Sequence, residues 1–220
     1  TDTAPRTLAS TANNTLTISS GAILAAGGVT HTLAIPRLNF VTTPSVTTTN
    51  ASANVTTAST AGFAVGQVIT GTGIPGNAFI TGITNATTFT ISANATASGT
   101  VTATIYAPAF VTVDTATTLN LTGAVVSNSD LTKQGAGTLT VSRKQYYGGQ
   151  TTILGGTLKL GAGDNTLWAG GSNLLNVETN GTLDLNGSTQ LVGRLISLGT
   201  ASNAGGTITN TSATASNFVT

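Results

Sequence analysis

Cysteine and methionine are absent from this 220-residue chain, and charge is scarce. Without cysteine there is no disulfide framework and no thiol to oxidise, which fits an exported protein. Charged residues make up 6% of the sequence, against roughly 25% in an average globular chain. The seven basic residues are scattered and the net charge is +1, so there is no electrostatic footprint for nucleic acid. No run approaches the roughly 20 apolar residues of a transmembrane helix, so this segment does not insert in a membrane that way. His31 is the single histidine, which excludes a histidine metal cluster within one chain, and it is expected on a polar face or at a turn. Helix formers other than alanine are few, and no apolar stripe of period 3.6 is sustained.

Threonine is there instead, at about a fifth of all residues. It is β-branched and suits strands. Glycine and asparagine supply turns with positive φ. The class is therefore all-β. A four-residue unit, Thr-aliphatic-any-aliphatic, recurs at Thr15-Leu16-Thr17-Ile18, Thr118-Leu119-Asn120-Leu121, Thr138-Leu139-Thr140-Val141, Thr157-Leu158-Lys159-Leu160 and Thr182-Leu183-Asp184-Leu185. A degenerate copy is Thr207-Ile208-Thr209-Asn210. In each unit the two aliphatics share one face of a strand and the variable residue takes the other, which is wet. A short strand repeated every twenty-odd residues suits a coiled parallel sheet, in which each turn stacks on the last at about 4.8 Å. Glycines beside the strands then act as corners. An antiparallel sandwich is the competing arrangement, and Asn-Gly pairs at 180–181 and 186–187 are compatible with its hairpins.

The stretch Leu131-x-Lys133-x-Gly135-x-Gly137-x-Leu139-x-Val141 resembles the start of the autotransporter-associated β-strand repeat. Tyr147-x-Gly149-x-Thr151-x-Ile153-x-x-Gly156-x-Leu158-x-Leu160 resembles its second half. A looser likeness covers residues 1–40 and 108–220. Gln145 departs from the asparagine common in the family, which is expected to weaken one corner. The resemblance implies a right-handed parallel β-helix, an exported passenger-like segment and a place at the bacterial cell surface. It implies no activity. The start, "TDTAPR", reads as a processed or excerpted piece of a longer exported precursor.

Residues 41–107 break the rhythm, giving three parts: first coils over 1–40, an inserted Thr/Gly-rich β module over 41–107, and further coils over 108–220. A Thr/Ser/Asn/Ala tract opens the insertion. Alternating strands follow, with an expected core of Phe63, Val65, Val68, Ile69, Ile74, Phe79, Ile80, Ile83, Phe89, Ile91, Val101 and Ile105. The "VGQ" and "GTGIP" segments resemble short β modules of bacterial and phage surface proteins. Insertions of this kind lie on one face of a solenoid and carry binding in some proteins.

Chemical motifs are weak. Gly71-x-Gly73-x-x-Gly76 matches a dinucleotide fingerprint in letters only, because Pro75 sits inside it and a strand-like segment follows. Gly135-Ala-Gly137 lacks the lysine and hydroxyl of a phosphate loop. The segment 161–167 resembles one calcium nonapeptide, yet a lone Asp164 cannot supply the six to eight oxygens calcium takes. The acids Asp2, Asp114, Asp130, Asp164, Glu178 and Asp184 are dispersed, so no catalytic pair is evident. Lys159 and Asp184 share a phase and are expected as an exposed, weak ion pair. Tyr146, Tyr147 and Trp168 are candidate glycan or partner contacts through ring stacking.

The expected function is thus structural or adhesive, extracellular at the bacterial surface, with no catalysis, cofactor or metal. The chain would serve as a passenger-like stalk or as a fibre subunit pairing with itself end to end. The alternatives are a glycan-binding adhesin module acting through the insertion, with cell-surface or matrix glycans as partners, and a β-helix carbohydrate-active enzyme.

Overall fold

A computed structural model describes residues 3–107, 109–167, 173–197 and 205–220. Strands, turns and bends make up the described residues, and none is helical. The chain divides into two compact units. One comprises Thr1–Thr17, Ala22–Asn39 and Ala109–Thr220, the other Ile18–Gly21 and Phe40–Pro108.

The first unit is a parallel β-solenoid with three faces per coil. Its first face stacks Thr7–Ala9, Thr30–Ala34, Thr118–Leu121, Thr138–Val141, the end of Thr151–Leu160, the end of Leu174–Asp184, and Thr207–Thr209. The second face stacks Ala22–Ala25, Ala109–Val113, Leu131–Gln134, the starts of the same two long strands, and Arg194–Ile196. The third face begins with Thr15–Thr17, Arg37–Asn39 and Ala124–Val125. It continues through backbone bonds from Tyr146 N–H to Val125 O and from Gln145 N–H to Thr166 O, and ends with Gln190–Leu191 beside Phe218–Val219. Every strand pair in this unit is parallel, which disposes of the sandwich.

The repeat spacing becomes register. Leu119, Leu139, Leu158, Leu183 and Ile208 are successive partners, at separations of 20, 19, 25 and 25 residues. The four leucines are at most 4% exposed. Burying each stabilises the stack by roughly 1.5–3 kcal/mol relative to exposure. One copy does not belong to this ladder. Thr15–Thr17 lies on the third face, and the first-face ladder opens instead with Thr7-Leu8-Ala9 beside Thr32-Leu33-Ala34.

Glycines make the corner between second and first faces. Gly156 is paired with Gly181 and has φ +64. A Cβ at Gly156 would overlap the carbonyl oxygens of Gly135 and Gly137 in the preceding coil. Gly137, Gly181 and Gly206 meet backbone in the same way. Here the glycine is needed because two backbones touch.

The second unit is antiparallel. Its main sheet runs in the order Ile80–Asn85, Thr88–Ile91, Asn54–Thr57, Ser45–Thr48, Gly99–Thr102, and Val41–Thr42, Thr104–Tyr106 and Ile69–Thr70 form a smaller one. The core gathers Val46, Val55, Ile69, Ile74, Ala78, Ile80, Phe89, Ile91, Ala103 and Ile105, with Phe63 set edge-on to Phe89 at 5.4 Å. The expected core members Val65, Phe79 and Ile83 are exposed instead. Val46 and Val55, from the Thr-rich tract, replace them, because that tract forms two strands of the sheet.

Candidate functional site

The polar side chains of the solenoid mostly fasten one coil to the next. Asp130 accepts the N–H of Gln150 at 2.9 Å, and Asp164 accepts that of Thr189 at 2.7 Å. Asn165 accepts the N–H of Leu191 at 2.9 Å. Each partner lies 20 to 26 residues ahead, on the following coil. The calcium-like segment 161–167 is therefore a corner latch. Among the described residues no three metal-ligating side chains gather.

Asp184 carries the densest cluster. Its oxygens accept the N–H groups of Asn186 and Thr211, both at 3.0 Å, and the Thr211 hydroxyl at 2.6 Å. Lys159 Nζ stands 3.3 Å away and also donates to the Thr211 hydroxyl. The expected pair with Lys159 is present, but Asp184 is buried, contrary to the exposed pair expected from strand parity. Burial pushes its carboxyl up. The bonds from Thr211, Asn186 and Lys159 outweigh that and hold it below its ordinary range.

Lys133 is fully buried on the second face, in the same inward parity as Leu131. Its ammonium donates to the carbonyls of Gln134, Gly135 and Gly155 at 2.8–2.9 Å, closing the glycine corner across two coils. Burial lowers its pKa from 10.5 to about 8. Gln145 and Gln190 do related work on the third face. The Gln145 Oε1 accepts the Val125 N–H at 2.9 Å while its Nε2 donates to Gly123 O and Arg143 O. The Gln190 Oε1 accepts the Leu167 N–H at 3.0 Å. Both amides are essentially inaccessible, and Gln145 ties its corner to the neighbouring coil. Sequence reasoning missed these three residues; for Lys133 its parity with Leu131 was the available signal. His31 is likewise in the inward register, beside Leu119, with its Nδ1 accepting the Arg6 N–H and its Nε2 bonded to Ala26 O.

The three candidate contact residues part company. Tyr146 is 55% exposed. Tyr147 is 1% exposed, and its hydroxyl shares a hydrogen bond with that of Thr151. Burial raises the Tyr147 phenol well above the ordinary tyrosine range, the Thr151 bond opposing and Asp130 adding to it. Trp168 lies outside the described residues. Arg143 and Lys144 are exposed beside Tyr146.

The second unit offers a different surface. No Asp, Glu, Lys, Arg or His occurs between Arg37 and Asp114. The outward face of the five-stranded sheet carries hydroxyls: Thr100, Thr47, Thr56 and Thr88 form one row across four strands. Thr47 and Thr100 bond each other at 2.9 Å, as do Thr81 and Thr90. Gly71-x-Gly73-x-x-Gly76 is a turn, with Gly73 at φ +74 and Ile74 N–H bonded to Gly71 O at 3.1 Å. Such a surface suits uncharged partners, since it makes no ion pair.

In-register coils, corner glycines and inter-coil latches define a parallel β-solenoid. The chain is similar, at 40% identity over 74 residues, to the adhesin BmaC autotransporter of Brucella suis biovar 1 (strain 1330). The match covers 34% of this chain and 2% of that adhesin, so the chain spans a small fraction of the relative's length. No family model matches the chain. The likeness and the solenoid together fit a passenger-type β-helix protein.

Proposed function

We propose that this chain is a non-catalytic adhesive segment displayed at a bacterial surface, in which the solenoid is the spacer and the inserted module makes contact. The carrying observation is the division of labour in the polar residues. Asp130, Asp164 and Asp184 are committed to backbone of neighbouring coils, which leaves them ill-suited to acid–base chemistry. The module carries no charge and presents a flat hydroxyl face. The likeness to an adhesin supports the same reading. Its partner is expected to be neutral, such as an uncharged glycan.

The test is a deletion of residues 40–108 that rejoins Asn39 to Ala109. Binding to a neutral glycan array should disappear while the β signal in circular dichroism persists. Neutral-glycan binding retained by the deleted chain would overturn the assignment to the module. A glycan-cleaving activity lost on Asp184→Asn would overturn the absence of catalysis.

A second reading is end-to-end pairing of copies. Electron microscopy at rising concentration tests it. Filaments that disappear with Leu8→Lys support pairing, and monomers at every concentration oppose it.

A further inference from the structure

We propose that the third face of the solenoid binds an anionic polysaccharide, through Arg143, Lys144, Arg37 and the ring of Tyr146. This extends the adhesive reading to a second surface and does not depend on the inserted module.

The register brings these residues together from distant parts of the sequence. Arg37 is the parallel partner of Ala124. Tyr146 N–H bonds to Val125 O in the way that Val126 N–H bonds to Leu38 O, so Tyr146 follows Val126, and Lys144 follows Ala124, one coil on. Leu38, Val125 and Gln145 are buried, pointing inward, and alternation puts Arg37, Lys144 and Tyr146 on the other side, with Ala124, 3% exposed, at the same phase. Arg37 and Lys144 therefore stand in one outward column, two rungs or roughly 9.6 Å apart, with the small Ala124 between them. Asn39, Val126 and Tyr146 form the adjacent column.

The charge here is one-signed. Arg37 and Lys144 are two of the chain's seven basic residues, and Arg143, exposed at the bend just before Lys144, is a third beside them. Arg37 is oriented by its own contacts, Nε to the Thr15 hydroxyl at 3.0 Å and Nη2 to Asn13 O at 2.7 Å. Neither contact neutralises it. The acids on neighbouring corners remain charged and are held by their own bonds, Asp130 accepting two from Gln150 and Asp164 accepting the Thr189 N–H. Elsewhere Lys133 is buried and Lys159 is paired with Asp184, so the patch is the chain's concentrated exposed positive charge among the described residues.

Cations spaced along a shallow surface match a linear polymer that carries carboxylates or sulfates at intervals. Arginine meets such groups with a planar two-pronged donor set. The exposed tyrosine ring supplies an apolar face with a polar tip, the combination that sugar rings meet. A nucleic acid would want a denser basic footprint than three cations. A neutral glucan would leave the charges unused.

The experiment uses the full chain, titrated with uronate oligosaccharides, sulfated oligosaccharides, neutral dextran oligosaccharides and a single-stranded DNA of similar charge, by calorimetry at low and high salt. The expected result is binding to one or both anionic saccharides that excess dextran does not compete away, weaker binding to DNA, and loss at high salt. The double variant Arg143→Ala/Lys144→Ala should bind about tenfold more weakly. Tyr146→Ala should weaken saccharide binding and leave its salt dependence unchanged. These side chains point outward, so circular dichroism should be unaltered, and Arg194→Ala serves as a charge control. Which anionic saccharide binds tells carboxylate from sulfate recognition. DNA binding as tight as the saccharides, indifference to Tyr146→Ala, or an equal loss with Arg194→Ala would each overturn the proposal, as would no binding to either saccharide. Binding that survives deletion of residues 40–108 supports this site even if the module proves inert.

Discussion

Replacing Gly156 with alanine should destabilise the solenoid strongly. Two penalties combine. At φ +64 an L-residue other than glycine loses about 1–2 kcal/mol. The added methyl would also overlap the Gly135 and Gly137 carbonyls, and relieving such overpacking costs roughly 1–3 kcal/mol. The sum is about 2–5 kcal/mol, a large share of the stability of an ordinary domain. Gly163→Ala supplies the control. Its φ is +75, yet nothing lies within 4 Å of the new methyl, so the backbone penalty alone remains. Urea unfolding followed by far-ultraviolet circular dichroism measures both. Equal losses in the two variants would refute the claim that coils touch backbone to backbone at this corner.

Other expectations follow from the buried polar groups. Lys133 has a folded pKa of about 8 against 10.5 unfolded, so the unfolded chain holds more protons between those values and stability should rise with pH across them. Tyr147 has the opposite effect above its ordinary value of 10.0, because only the unfolded phenol ionises there. Stability measured by urea unfolding should therefore peak near pH 10, with Lys133→Met removing the rise and Tyr147→Phe the fall; a flat profile in the unmodified protein would contradict both. Asp184→Asn should lose about 1–3 kcal/mol at pH 7. Because the folded carboxyl lies below its ordinary 3.8, the difference should shrink as the pH falls through and beneath that value, and a constant difference would argue against ionic latching. Gln145→Leu should cost roughly 1–3 kcal/mol by leaving the Val125 N–H unpaired, detectable as a lower melting temperature.

The repeat was legible because alternation and spacing act on every coil. Leu119 through Ile208 kept in sequence the separations that became strand register. Which of three faces a unit occupies was not legible, because the same Thr-aliphatic pattern serves more than one of them, as Thr15–Thr17 shows. Polar residues inside were hidden for a related reason. Lys133 and Gln145 look like surface residues until the neighbouring coil provides carbonyls and an N–H for them. In the module, threonine-rich strands concealed Val46 and Val55, while Phe79 and Val65 drew attention and lie outside. The adjacent Arg143, Lys144 and Tyr146 were visible, but Arg37 joins them only through stacking.

The central claim is that the threonines before the inward leucines form one axial ladder. Since the chain has no cysteine, spin labels attach only where a cysteine is introduced. Thr30, Thr118, Thr138, Thr157, Thr182 and Thr207 are successive partners on the outward face. At about 4.8 Å per rung, labels on Thr30 and Thr207 should lie roughly 24 Å apart, and labels on Thr118 and Thr207 roughly 19 Å. Pulsed electron–electron double resonance on these two pairs should return distances that differ by one rung. Equal distances, or a shorter one for the Thr30 pair, would contradict the parallel stack.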